Sequence, residues 1–179
     1  MILIVEGSNK VGKTTFIEKL SKELTNLGYL VKVENRRVAK NKCEITKDVM
    51  AEITFTDFNN ALVNEVHHAT EKFVYILDRC YLSEYIYGKM YRGYENDSVM
   101  KLDAFIADSP FIYQILFISN YNHIKDEEKK VEYKEIQNAF ISKRNELKSY
   151  YVLCVNTNEE SVDEHVAKYV RFIQMHYGE

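Results

Sequence analysis

The chain has 179 residues, 46% hydrophobic and 28% charged, which is enough for a full-sized core in one domain spanning 1–179. Its formal net charge of -3, from 24 basic and 27 acidic side chains, supplies no overall basic field and argues against nucleic acid as a partner. The longest apolar stretch, 111–118, contains Gln114 and is too short to cross a bilayer, so no membrane association is expected. Cys43, Cys80 and Cys154 are dispersed, without metal-site spacing, and fit reduced thiols of a cytoplasmic protein.

The apolar run at the start predicts a buried strand over 1–6, without the basic flank of a signal peptide. It leads into Gly7-Ser8-Asn9-Lys10-Val11-Gly12-Lys13-Thr14, which is G-x-x-x-x-G-K-[ST]. A helix over 13–27 follows, with Phe16, Leu20, Leu24 and Leu27 on one face. Strand–loop–helix is the context a phosphate-binding loop requires. The glycines let backbone N–H groups close around an anion, and the helix turns its positive end toward it. Asn9, Lys10, Val11, Gly12, Lys13, Thr14 and Thr15, with Gly7, are therefore candidate contacts to the phosphates of ATP. Lys13 is placed along the β- and γ-phosphates and the Thr14 hydroxyl on Mg2+.

A short strand is expected over 29–34, then Asn35-Arg36-Arg37; residues 38–47 carry no clear pattern. The spacing of Ile53, Phe55, Phe58, Leu62 and Val66 predicts a helix over 48–72, and 73–77 reads as a third strand ending in Asp78. A short helix follows Asp78-Arg79, then a loop or frayed helix over 88–96 that contains Arg92. A helix over 97–107 carries Val99, Leu102, Phe105 and Ile106, and Pro110 blocks its continuation. Strands over 112–118 and 151–155 flank a charged helix over 125–148, with Tyr133, Ile136, Phe140 and Leu147 as its buried stripe. Thr157 and Glu160 form a capping box before a last helix that buries Val162, Val166, Tyr169 and Ile173. This alternation predicts an α/β fold, a parallel sheet with helices on both faces.

Ligands of open α/β sheets collect at the C-terminal ends of the strands. Asp78 falls there, as a ligand of Mg2+-bound water or an acceptor of the attacking group's proton; a helix N-cap is the structural alternative. Arg79 beside it suits phosphate oxygens, or an ordinary salt bridge. Glu34, Arg36 and Arg37 end the second strand, where a carboxylate meets a substrate hydroxyl and an arginine an acceptor phosphate. Arg92 is a further substrate candidate. Phe55 and Phe58 are candidates to stack on a base, although their helical spacing equally suits the core. His67 and His68 are adjacent and point apart, so no zinc site is assigned.

Three segments carry a family resemblance. Glu6-Gly7-Ser8-Asn9-Lys10-Val11-Gly12-Lys13-Thr14-Thr15 and Asp78-Arg79-Cys80-Tyr81-Leu82-Ser83 together resemble the phosphate-loop nucleoside and nucleoside-monophosphate kinases, in particular the thymidylate-kinase-like branch, and Ser83-Glu84-Tyr85-Ile86-Tyr87-Gly88 resembles the continuation found in its phage- and virus-like members. The resemblance implies a five-stranded parallel sheet in order 2-3-1-4-5 and transfer of the γ-phosphoryl of ATP to a nucleoside monophosphate, with a pyrimidine deoxynucleotide leading. It implies Lys13, Asp78 and Arg79 as the catalytic set, and a homodimer formed through helices beside the acceptor site. A deoxynucleoside or a polynucleotide end is the alternative acceptor, and nucleotide binding without turnover a third reading. The family's arginine-rich lid corresponds here to a reduced segment around 119–130 with Lys125, Lys129 and Lys130 and no arginine before Arg144.

Overall fold

A computed structural model describes residues 1–35, 45–156 and 162–179. Five strands, β1 (Ile2–Gly7), β2 (Leu30–Asn35), β3 (Phe73–Asp78), β4 (Ile112–Ser119) and β5 (Tyr151–Asn156), make one parallel sheet. Its order is β2-β3-β1-β4-β5, as the resemblance implied. Met1 to Val5, Val74 to Ile76 and Ile115 to Phe117 are all fully shielded, the mark of strands covered on both faces.

Helices α1 (Lys13–Asn26) and α6 (Val162–His176) pack on each other over one face. Phe16 of α1 meets Phe117 of β4 at 4.9 Å between ring centroids, and His165 of α6 meets the same ring. Helices α2 (Lys47–His67), α3 (Tyr81–Tyr87) and α5 (Glu127–Arg144) make the other layer, and α4 (Lys101–Ala107) meets α2 through Phe58 and Phe105.

Several helix limits and faces differ from those read off the spacing. In α2 the buried set is Met50, Ala51, Thr54, Phe58 and Ala61, whereas Ile53 and Val66 are exposed. Its inner face thus mixes the small Ala51, Thr54 and Ala61 with Met50 and Phe58, and Phe55 and Leu62 are partly buried beside it. Leu27 and Phe105 are likewise exposed. The helix expected over 97–107 starts at Lys101, because Val99 and Met100 donate only three residues back, to Asn96 and Asp97. Helix α5 starts after Asp126, whose side chain accepts from the Lys129 N–H, and ends at Arg144 in three such tight turns. The capping box at Thr157 and Glu160 lies outside the described residues.

Candidate functional site

The glycine-rich loop leaves the C-terminal end of β1 at the centre of the sheet. Gly7 sits beside Phe117 in register and has a positive φ of 134°. A Cβ there would lie 2.4 Å from the Phe117 carbonyl oxygen, so only glycine lets the loop pass β4 at this distance. Gly12, also left-handed at φ 97°, is the N-cap of α1 and turns the chain into the helix. Lys10, at the loop's outer bend, is exposed with φ 62°.

Three non-glycine residues have positive φ among those described, and all three belong to this loop or grip it: Lys10, Arg79 and Tyr121. Arg79 follows β3. Its Nη1 donates to the Gly7 carbonyl at 2.9 Å and to Ser83 Oγ at 3.2 Å, and its Nη2 to Asn9 Oδ1 at 3.0 Å. The guanidinium lies over the Tyr87 ring at 4.9 Å. Tyr121, fully buried beyond β4, is hydrogen-bonded through its hydroxyl to Ser8 Oγ. Strands on either side of β1 thus each send one side chain to fix the loop.

Glu6, the last side chain before the loop, is completely buried. One carboxylate oxygen accepts the N–H groups of Cys80 at 2.9 Å and Ser83 at 3.2 Å; the other accepts the Ser83 hydroxyl. Cys80 is the N-cap of α3 and its side chain makes no capping hydrogen bond, so Glu6 satisfies orphan donors at that helix start from a neighbouring strand. Burial raises the Glu6 pKa above the ordinary range, offset in part by Ser83 and Arg79.

Lys13 is buried at the head of α1, and its Nζ donates to the Ser8 carbonyl at 2.6 Å. Burial, and then the nearby Arg79, hold its pKa well below the usual lysine value, while Asp78 and Glu6 oppose the shift. A phosphate in the loop would give this ammonium a charged acceptor in place of a neutral carbonyl. Asp78 ends β3, and its Oδ1 is buried with no hydrogen-bond partner. Burial raises the Asp78 pKa; Lys13 and Arg79 pull the other way, so the carboxylate lies within the field of both cations. The described residues contain no group of three or more His, Cys, Asp or Glu side chains around one metal-sized space. The exposed Thr14 hydroxyl and the orphaned Asp78 oxygen fit a hard cation carried largely by phosphate oxygens, not an all-protein metal cage.

The predicted acceptor residues are spread more widely. Glu34 is half-buried at the end of β2, 3.4 Å from the hydroxyl of Tyr75. Burial, and then Glu34, push the Tyr75 pKa up to about 12. Arg36 and Arg37 lie outside the described residues. Phe58 is 1% exposed and packs edge-on against Phe105, which makes it a core side chain; Phe55 is half-buried against that core. Arg92 closes a π-helical turn, Gly88–Arg92, and its buried Nη2 pairs with the buried Glu84 carboxylate at 2.6 Å. Tyr94 and Asn96 also donate to Glu84, while Nε and Nη1 of Arg92 have no hydrogen-bond partner.

Beyond β4, Ser119 and Gln137 exchange two hydrogen bonds that tie the strand to α5. Lys129 pairs with Asp126 and Lys130 with Glu127 within the first turn of α5. Arg144 donates to the Tyr151 carbonyl at 2.9 Å and lies over Tyr150, at the end of the sheet opposite the loop. Of the positioning residues, Glu6 was read only as the acidic residue that opens the first resemblance motif, and Tyr121 was not singled out from the sequence. A carboxylate ending a buried strand is the same signal that marked Asp78, so Glu6 was within reach; no pattern announces Tyr121.

Fold and site define a class: a three-layer α/β protein with the phosphate-loop strand order and a glycine-rich loop closed over a buried lysine. No family model matches the chain, and no curated protein matches it. In fold it is similar to a crystal structure of the YorR protein from Bacillus subtilis in complex with phosphorylated GDP. That likeness has a TM-score of 0.67 at 16% identity and covers 100% of this chain and 99% of that one. No helix among the described residues is long and apolar enough to cross a membrane.

Proposed function

We propose that this protein transfers the γ-phosphoryl group of ATP, bound with Mg2+, to a nucleoside monophosphate, and by the sequence resemblance a pyrimidine deoxynucleotide. The observation that carries the reading is the single cluster of Lys13, Asp78 and Arg79 around the loop between β1 and α1. In this reading the N–H groups of residues 9 to 15 and the head of α1 hold the donor phosphates, and Lys13 leaves the Ser8 carbonyl for a phosphate oxygen. Thr14 and Asp78 face the cation, which screens the negative charge that the phosphates bring together. Arg79 holds the loop in shape and shares its charge with the transferring group. Positioning and charge neutralisation are most of what such a reaction requires. Lys10 of the loop and Lys125 of the reduced lid segment are exposed and make no ion pair among the described residues, which suits them to the role that arginines play in the family's lid.

Glu34, Arg36, Arg37 and Arg92 form the acceptor side in this proposal, with half-buried Phe55 shaping its apolar wall. The phosphorylated GDP held by YorR favours a second reading, a guanine nucleotide as acceptor. The chain acts as one cytoplasmic domain over 1–179. The exposed Val49, Ile53, Val63 and Val66 of α2 support pairing of two copies, to be checked by sedimentation.

The deciding experiment measures ATP consumption with each deoxynucleoside monophosphate, each deoxynucleoside and a 5′-hydroxyl oligonucleotide, beside ATP binding. Consumption with one monophosphate is expected. Consumption only with nucleosides or oligonucleotide ends moves the acceptor to the alternative class. ATP binding with no consumption by any acceptor leaves a binding protein and overturns the kinase reading.

A further inference from the structure

A second cleft lies away from the phosphate loop. It runs along the β4–β5 edge between α4 and α6, with a volume of about 630 Å³. Its walls are largely apolar and aromatic, including Ile106, Ile112, Leu153, Tyr169 and Phe172. This size and lining suit a small flat molecule.

Gln114 lines this cleft and is 2% exposed. Of the twelve buried polar or charged side chains among the described residues, tyrosines aside, Gln114 is the one with side-chain atoms that lack a hydrogen-bond partner; the hydroxyl of buried Tyr151 lacks one too. Both Nε2 and Oε1 of Gln114 lack one. Its strand neighbours Ile4 on β1 and Ile112, Ile115 and Leu116 on its own strand are apolar, and Tyr151, with its unpartnered hydroxyl, is paired with it on β5. A buried amide left unbonded on both atoms is a standing cost, and a partner of matching chemistry removes it. An amide presents a donor beside an acceptor, and its complement is an acceptor beside a donor in one plane. Lactams of nucleobases have that edge. No described carboxylate lines the cleft, and Lys168 and His165 are its only basic side chains.

We propose that this cleft is a second ligand site, taking a neutral lactam-bearing ring, a nucleobase or nucleoside, through the Gln114 amide and the apolar side chains of Ile106, Ile112 and Leu153 that line the cleft beside it. The site is separate from the phosphate loop. Gln114 pairs with Ile4, whereas Gly7 pairs with Phe117 three residues further along, about 10 Å up the strand. The proposal does not rest on the phosphoryl-transfer reading, because binding here needs neither Lys13 nor a phosphate.

Methyl NMR of the whole chain tests it, with inosine as probe and 1-methylinosine, which has no lactam N–H, as control. Inosine is expected to shift the methyl signals of Ile106, Ile112 and Leu153 saturably, in the wild-type chain and in Lys13→Ala alike. 1-Methylinosine should bind at least tenfold more weakly, and Gln114→Met should abolish the shifts while keeping a cooperative melt. No shift at these methyls, equal binding of the two nucleosides, or undiminished binding by Gln114→Met would each overturn the proposal. A Gln114→Met chain too unstable to study leaves the nucleoside comparison on the wild-type chain to decide.

Discussion

Glu6 and Ser83, on neighbouring elements and 77 positions apart, are joined twice: the Ser83 N–H and hydroxyl each donate to a different oxygen of the buried carboxylate. Arg79 crosses in the opposite direction, from the end of β3 to the Gly7 carbonyl and the Asn9 side chain. The two links are reciprocal. The strand before the loop caps the helix after β3, and the residue before that helix holds the loop. The loop and the Asp78–Arg79 segment therefore move as one unit, a requirement for chemistry that depends on placement.

Glu6→Ala should destabilise the fold by about 2–4 kcal/mol, since two N–H groups and a hydroxyl lose their buried acceptor. Urea unfolding measures this. Glu6→Gln separates charge from shape. Burial raises the folded pKa of Glu6, so between about 4.5 and that higher value the folded state binds more protons than the unfolded one. Its contribution to stability then falls as pH rises through the window. The wild-type chain should lose stability relative to Glu6→Gln from pH 4 upward, and parallel pH profiles would refute the assignment.

Gly7→Ala should cost about 2–4 kcal/mol or abolish folding, because the new methyl meets the Phe117 carbonyl at 2.4 Å and the backbone is held at φ 134°. Substitution at Gly178, also left-handed but with open space around it, is the control: alanine there should cost about 1 kcal/mol, the backbone term alone. Thermal melts of the two variants compare them directly.

The strands and the loop were legible because each has a local signature, whereas the strand order came from the family resemblance. Continuous apolar runs mark buried parallel strands, and the Gly and Lys spacing marks the loop. The inner face of α2 was legible only in part: Phe58 is buried and Phe55 and Leu62 pack against the core as their spacing predicts, but Met50, Ala51, Thr54 and Ala61 complete the face while exposed Ile53 and Val66 mimic a buried stripe. Asp78 could be read as a strand-end carboxylate. The direction of Arg79 could not, because its left-handed backbone turns it under the loop and no sequence pattern encodes that turn. Arg92 was read as a substrate candidate in a loop or frayed helix, but a π-helical turn carries it inward to Glu84, a partner visible only in three dimensions.

Arg92→Ala should destabilise by about 3–5 kcal/mol, because it strips the cation from the buried Glu84 carboxylate. The double variant Arg92→Met with Glu84→Leu should recover much of that loss, since no unpaired charge remains. If Arg92 also meets the acceptor, the double variant recovers stability while the KM for the acceptor stays raised. Recovery of both would make Arg92 purely structural.

Arg79→Lys keeps the charge but loses the fork that bonds Gly7, Ser83 and Asn9 together. Amide hydrogen exchange in residues 7–14 should speed up at least tenfold, with little change in the central strands. Unchanged protection of the loop would show that Ser8–Tyr121 alone suffices to hold it.

Lys13 allows stability and function to be pulled apart. Burial and then Arg79 depress its folded pKa, so between that value and about 10.5 the unfolded chain binds more protons and stability rises with pH. Replacing it by methionine removes this slope and the cost of the buried ammonium. Lys13→Met should therefore melt no lower than the wild-type chain at neutral pH. Phosphoryl transfer should nonetheless fall by about 100-fold or more, the loss of a cation that tracks the transferring charge. Asp78→Asn should behave alike, with activity lost by a similar factor and the melt preserved, since its Oδ1 has no partner to lose. Both variants are scored by initial rates with the acceptor identified from the panel, beside calorimetric melts. Near-normal rates in either would remove that residue from the reaction, and a rate lost only together with the fold would reassign it to stability.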